Sequence, residues 1–171
     1  LHIKEVGGAW TQLAIPTHGT GNSWTFVDSG DIDLSTYVGK NVQIGFKYTS
    51  TTTSAGTWEV KNFSVAEASG AVTPDPTPDP EPEPTPTPGD AKTLPYAESF
   101  TTSQGDFTIN NVTLGTLSYV WQHSTYNSDG YMKASAFMNN AAVVAESWLV
   151  SPAISLAGAT SPVVTFTHAH K

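Results

Sequence analysis

At 171 residues and 18.1 kDa the chain has room for one ordinary domain or two small ones. It is acidic, with a formal net charge of −8 and lysine as its only basic residue besides histidine, which makes it a poor partner for nucleic acid or an anionic membrane surface. Without cysteine it has no disulfide, thiolate metal site or cysteine nucleophile, and no apolar run approaches the roughly 20 residues of a membrane-spanning helix.

Strands are predicted near Leu1–Val6, Trp10–Ile15 and Trp24–Asp28, punctuated by turns at Gly21-Asn22, Ser29-Gly30 and Gly39-Lys40. Asp33–Tyr37 reads as a short helical turn. From Val42 to Tyr48 apolar residues alternate with Gln43, Gly45 and Lys47, the period of a half-buried strand. Trp58 and Val60 alternate in one phase and Phe63 and Val65 in the other, so a bulge is expected between them. Trp24, Trp58 and Trp148 sit in apolar patterns and read as core; Trp10, near Gly7-Gly8, is open.

Between Pro74 and Pro88 proline stands at every second position. Proline lacks an amide donor and fixes φ, so residues 72–90 read as an extended, solvated spacer. Beyond it, strands are predicted near Tyr96–Thr101, Phe107–Ile109, Tyr119–His123, Tyr131–Ala136, Ser147–Leu149 and Val163–His170, with a turn at Asn127-Ser128-Asp129-Gly130. Nothing shows a sustained helical period. The fold class is all-β, most simply a sandwich. The chain starts at Leu1 without a leader and stops inside a predicted strand, as an interior piece of a longer protein would. Each side of the spacer holds about half a sandwich and would leave an apolar sheet face bare by itself, so the two sides are expected to pair, within or between molecules.

Several motifs add to this reading. After the spacer they are Leu94-Pro95-Tyr96-Ala97-Glu98-Ser99-Phe100, Gly130-Tyr131-Met132-Lys133-Ala134-Ser135-Ala136, Ser147-Trp148-Leu149-Val150-Ser151-Pro152-Ala153-Ile154 and Val163-Val164-Thr165-Phe166-Thr167-His168-Ala169. Before it, Asp31-Ile32-Asp33-Leu34-Ser35-Thr36-Tyr37 leads into Val42–Tyr48, followed by Gly56-Thr57-Trp58-Glu59-Val60 and on to Val65. Together these resemble the choice-of-anchor J and cleaved-adhesin modules of Bacteroidetes surface proteins, including the adhesin regions of gingipains. The resemblance covers nearly all of residues 1–71 and 91–171. It implies a jelly-roll β-sandwich of the galactose-binding-like type, exported to the extracellular space or the bacterial cell surface and arrayed in tandem with neighbouring repeat modules. On this reading 1–71 is the C-terminal half of one module, 72–90 the linker, and 91–171 the N-terminal half of the next, and the two halves would pair as one circularly permuted sandwich.

The resemblance also implies a structural calcium between the opening and closing strands, with Glu98, Glu59 and Asn62 as part of its oxygen shell. Lys61 stands where related strands often carry an aspartate, which counts against that site. From the residues themselves, Tyr119, Trp121, Tyr126 and Tyr131 cluster around the Asn127–Gly130 turn. Aromatic faces stack on sugar rings, and Asn127, Asp129 and His123 offer hydrogen bonds to hydroxyls; the alternative is that Trp121 and Tyr131 are core or cross-strand packing. His168 and His170 share one strand face but have no visible third zinc ligand. No nucleophile elbow or carboxylate pair marks an enzyme: Asp28, Asp31 and Asp33 follow a family turn. The expected role is a non-catalytic extracellular binding module for a glycan or a host or cell-surface protein, with no membrane insertion by this segment. The alternative is a structural spacer attached to a secreted protease or glycoside hydrolase.

Overall fold

The computed structural model describes residues 1–19, 21, 23–68 and 91–171; the spacer at 72–90 and Asn22 of the Gly21-Asn22 turn lie outside the described residues. Among the described residues fifteen strands run in chain order: β1 (His2–Glu5), β2 (Thr11–Gln12), β3 (Ser23–Asp28), β4 (Ile32–Asp33), β5 (Asn41–Ser50), β6 (Trp58–Glu67), β7 (Tyr96–Glu98), β8 (Thr108–Thr113), β9 (Trp121–Tyr126), β10 (Asp129–Ala134), β11 (Phe137–Met138), β12 (Ala141–Ala142), β13 (Ala145–Val150), β14 (Ile154–Ser155) and β15 (Pro162–His170). The only helical turn among the described residues is a 3₁₀ turn, Ser35–Tyr37, so no helix is long and apolar enough to cross a membrane.

Two antiparallel sheets face each other. The first runs β2-β1-β5-β13-β8, with β14 beside the start of β5; the second runs β3-β15-β6-β10-β9, with β4 beside β15 and β7 beside β6. The two sides of the spacer interleave. β5 lies between β1 and β13, and β6 lies between β15 and the strands β10 and β7. Phe63 of the first part stands opposite Glu98 of the second.

Alternation decides which side chains meet in the middle. Ile44 and Phe46 from the first sheet, and Val60, Phe63, Met132 and Phe166 from the second, are all buried. Phe46 crosses the interlayer space, its ring 5.0 Å from Phe166, 5.5 Å from Trp58 and 6.1 Å from Phe63, each edge to face. The arrangement is an all-β sandwich built around one shared core.

The phase change in β6 is a bulge. Lys61 pairs with Thr167 and Ser64 with Thr165, so Asn62 and Phe63 together oppose the single residue Phe166. Asn62 takes φ 51° there, which lets Phe63 and Val65 rejoin the core side after Val60. The Asn127-Ser128 loop, with both φ positive, closes a two-residue hairpin between Tyr126 and Asp129. Asn139-Asn140 does the same between β11 and β12.

Two tryptophans read as core are not in it. Trp24 is 50% exposed, and Trp148 lies half-buried on the outer side of the first sheet. Trp148 sits between Ser147 and Leu149, both buried, so its own phase points outward, and the period-two pattern alone does not say which phase is inside when both carry apolar residues.

Candidate functional site: the outer face of the second sheet

Register sorts the second sheet into two faces. Met132 pairs with Val60 and both are buried, so this phase faces the core. Lys133 opposite Glu59, Gln122 opposite Lys133, Ser124 opposite Tyr131 and Tyr126 opposite Asp129 therefore share the outer face. Phe26 of β3 reaches the ring of Tyr131 on β10 at 5.8 Å although β15 and β6 lie between them. The sheet thus curls toward its outer side and shelters what lies at the bottom.

At that bottom sits Glu59, buried, hydrogen-bonded by the Tyr131 hydroxyl and neighboured by Lys133. Burial pushes its carboxyl above the ordinary range, against the opposing pull of Lys133 and Tyr131. Burial likewise raises Tyr131, with the charges of Glu59 and Asp129 adding to it. Lys61 lies 4.3 Å over the Phe26 ring and is salt-bridged to Asp129. Tyr126, 71% exposed, and Trp24 stand at the rim.

Farther along the same face, a cleft of about 410 Å³ opens over β9 and β10. Gln122, Lys133 and Ser135 supply its polar groups. Tyr119, 53% exposed, and Phe137, 57% exposed, flank it. Phe137 is carried there by the β11–β12 hairpin, whose Asn-Asn turn between two short apolar pairs was the available sequence signal for this wall.

The sequence-predicted residues separate accordingly. Trp121 is a core residue: it is buried, its indole N–H donates to the Ser147 carbonyl at 3.3 Å, and its ring lies 5.8 Å from Trp58. It pairs with Ala134 and so stands in the opposite phase from Tyr131, which pairs with Ser124; the two rings therefore face opposite sides of the sheet. Tyr131 is itself largely covered, while Tyr126, Asn127 and Asp129 are exposed at the hairpin end. His123 faces inward, its Nε2 2.8 Å from the Phe100 carbonyl oxygen.

The three residues of the implied calcium shell also separate. Glu98 shares the inner side with its partner Phe63, and its Oε1 accepts from the Phe100 amide at 3.0 Å. Asn62, at the bulge, donates to the Thr167 hydroxyl at 3.3 Å. Glu59 lies on the opposite face. As placed, these donors do not converge on one ion.

Folding does bring a third imidazole to His168 and His170. The ring of His18 lies 5.6 Å from His168 and 6.4 Å from His170. Yet His168 has no free lone pair. Its Nε2 donates to the Thr17 carbonyl at 3.0 Å and its Nδ1 accepts from the Trp58 indole at 3.3 Å. It is a satisfied core histidine that ties the Thr17 loop to the sheet.

His168 and Glu59 should make stability respond to pH with opposite signs. Burial holds His168 below the ordinary 6.5, so in the window just below that value the unfolded chain binds a proton the fold refuses, and stability falls as pH drops. Glu59 is held above the ordinary 4.5, so above that value the fold retains a proton the unfolded chain has lost, and stability falls as pH rises. Thermal melts from about pH 4.5 to about pH 7.5 should show the acid-side loss flattened in His168→Gln and steepened in Glu59→Gln. Unchanged slopes in both variants would refute the assignment.

No family model, curated protein or solved structure matches the chain.

Proposed function

We propose that this chain is a non-catalytic recognition module of an exported surface protein, of the choice-of-anchor J or cleaved-adhesin kind, and that it holds a glycan in the cleft over β9 and β10. The observation that carries the reading is the pair of exposed rings, Tyr119 and Phe137, flanking Gln122, Lys133 and Ser135. A sugar presents an apolar C–H face and a rim of hydroxyls. Two aromatic walls match the first; an amide, an ammonium and a hydroxyl match the second. Gln122 and Lys133 stand opposite each other on paired strands, with Ser135 just past the end of β10, so they are held in place before binding, which lowers the ordering cost. One such cleft binds weakly, and tandem copies on a spacer would raise avidity without new contacts.

A glycan array followed by titration calorimetry tests this. Tyr119→Ala and Phe137→Ala should each weaken the best glycan by about tenfold or more, roughly 1.4 kcal/mol, while leaving the melting temperature nearly unchanged because both side chains are exposed. Absence of any binding at millimolar glycan would overturn the reading in favour of a spacer beside a secreted protease or glycoside hydrolase.

A further inference from the structure

On the far side of the molecule the outer face of the first sheet carries a second built groove, of about 280 Å³. Its floor is Val150, and Gly45 stands beside Val150 in the ladder. Trp10 and Trp148 rise over Gly45, stacked at 5.0 Å with 27° between their planes. The glycine is what allows this. A Cβ at position 45 would lie 2.9 Å from Trp10 and 3.0 Å from Trp148, so any side chain there would push both indoles off the sheet. Gln43, paired with Lys4, and Asn110, paired with Trp148, present amides, Gln43 through its oxygen because its Nε2 donates to the Ser151 carbonyl at 3.2 Å, and Thr108 presents a hydroxyl.

The charge of this groove runs against that of the chain. The sequence has 15 carboxylates and 7 lysines, yet no carboxylate lines the groove and Lys4 does. Lys47, lying 5.3 Å over the Trp148 ring, is matched by Glu146 at 3.3 Å. Lys4 lies 4.8 Å over the Trp10 ring and has no carboxylate within salt-bridge reach among the described residues. On the same face the Nδ1 of His2 is buried without a hydrogen-bond partner, its ring against Trp148 at 5.0 Å.

From this arrangement we infer that the Trp10–Trp148 groove is a second saccharide site, selective for a pyranose that carries a carboxylate, such as a hexuronate unit of an acidic polysaccharide. The indoles take the C–H face of the ring, Gln43, Asn110 and Thr108 take hydroxyls, and Lys4 pairs with the carboxylate. The site is independent of the cleft on the other sheet and contains the tryptophans that cleft lacks, so one chain would bridge two glycan segments from its two faces.

Tryptophan fluorescence of the whole chain, titrated with α-1,4-linked trigalacturonate and with the neutral galactotriose of the same linkage, tests the inference. The acidic trisaccharide should quench emission and bind at least tenfold more tightly than the neutral one, and added salt should narrow the gap. Lys4→Gln, which keeps the side-chain stem, should erase the preference, and the double variant Trp10→Ala/Trp148→Ala should abolish the quench, with melting temperature as the folding control. Glycan binding by calorimetry that survives Trp10→Ala/Trp148→Ala and is lost in Tyr119→Ala belongs to the cleft on the second sheet, so the two readings fail separately. Equal affinity for both sugars, no quench at millimolar trigalacturonate, or a preference untouched by Lys4→Gln would overturn it.

Discussion

Expressed apart, residues 1–71 and 91–171 should each fail to give a cooperative unfolding transition, and mixing them should restore one. The reason lies in the neighbours of β6 and β5. Every ladder partner of β6 (β7, β10 and β15) comes from beyond the spacer, and β5 keeps only β1 when β13 and β14 are removed. Alone, the first part would expose Ile44, Phe46, Val60 and Phe63 to water, and the second would expose Met132, Leu149 and Phe166. At ~25 cal/mol per Å² of apolar surface this outweighs a marginal net stability of about 5–15 kcal/mol. Mixed at about 10 μM, the fragments lose the millimolar effective concentration the spacer supplies, so the complex should be weaker than the intact chain by roughly 3 kcal/mol. Circular dichroism melts and a dye for exposed apolar surface read this directly. A sharp melt from either fragment alone would show that the shared core is not needed.

Gly130→Ala should be among the most damaging single substitutions, costing about 2–4 kcal/mol by urea unfolding. Gly130 lies in β10 opposite Thr125, and a methyl group there would run into the carbonyl oxygens of Phe100 and Thr101. Those atoms are backbone and cannot swing aside. Phe100 is itself fixed, buried at φ 60°, with its ring 5.0 Å from Phe107 and its carbonyl oxygen held by His123 at 2.8 Å. Relief would have to lift this segment out of the core. Gly158→Ala is the matched control: φ is 75° but nothing lies within 4 Å of the added carbon, so only the left-handed backbone cost of about 1 kcal/mol applies. Similar losses at both positions would mean that crowding against Phe100 and Thr101 is not the cause.

Much of the fold is legible in the one-dimensional pattern because strand alternation and turn chemistry are local. The phase flip between Val60 and Phe63 located the bulge, and Asn127–Gly130 located the hairpin, although the helical turn shrank to Ser35–Tyr37 and the strand expected over Trp10–Ile15 to Thr11–Gln12. Short pairings such as β4, β11, β12 and β14 leave no periodic mark in the sequence, since two residues carry too little period to stand out. The candidate sites were less legible. Tyr119 stands only two residues before Trp121, yet one ring borders the outer cleft and the other is core, because Tyr119 lies in the loop ahead of β9, where strand alternation does not set the direction of a side chain.

Residue order by itself determined that this chain is β-structured, acidic and broken by a proline-rich stretch, since each of these follows from composition or from neighbours a few positions apart. Only the tertiary structure decided that Trp10 and Trp148 meet over Gly45, that Phe137 faces Tyr119 across a cleft, that Glu59 and Glu98 part to opposite faces, and that His18 joins His168. Those outcomes depend on register between strands far apart in the chain. Register is set by the requirement that both sheets bury their apolar sides against each other, a condition no local stretch contains.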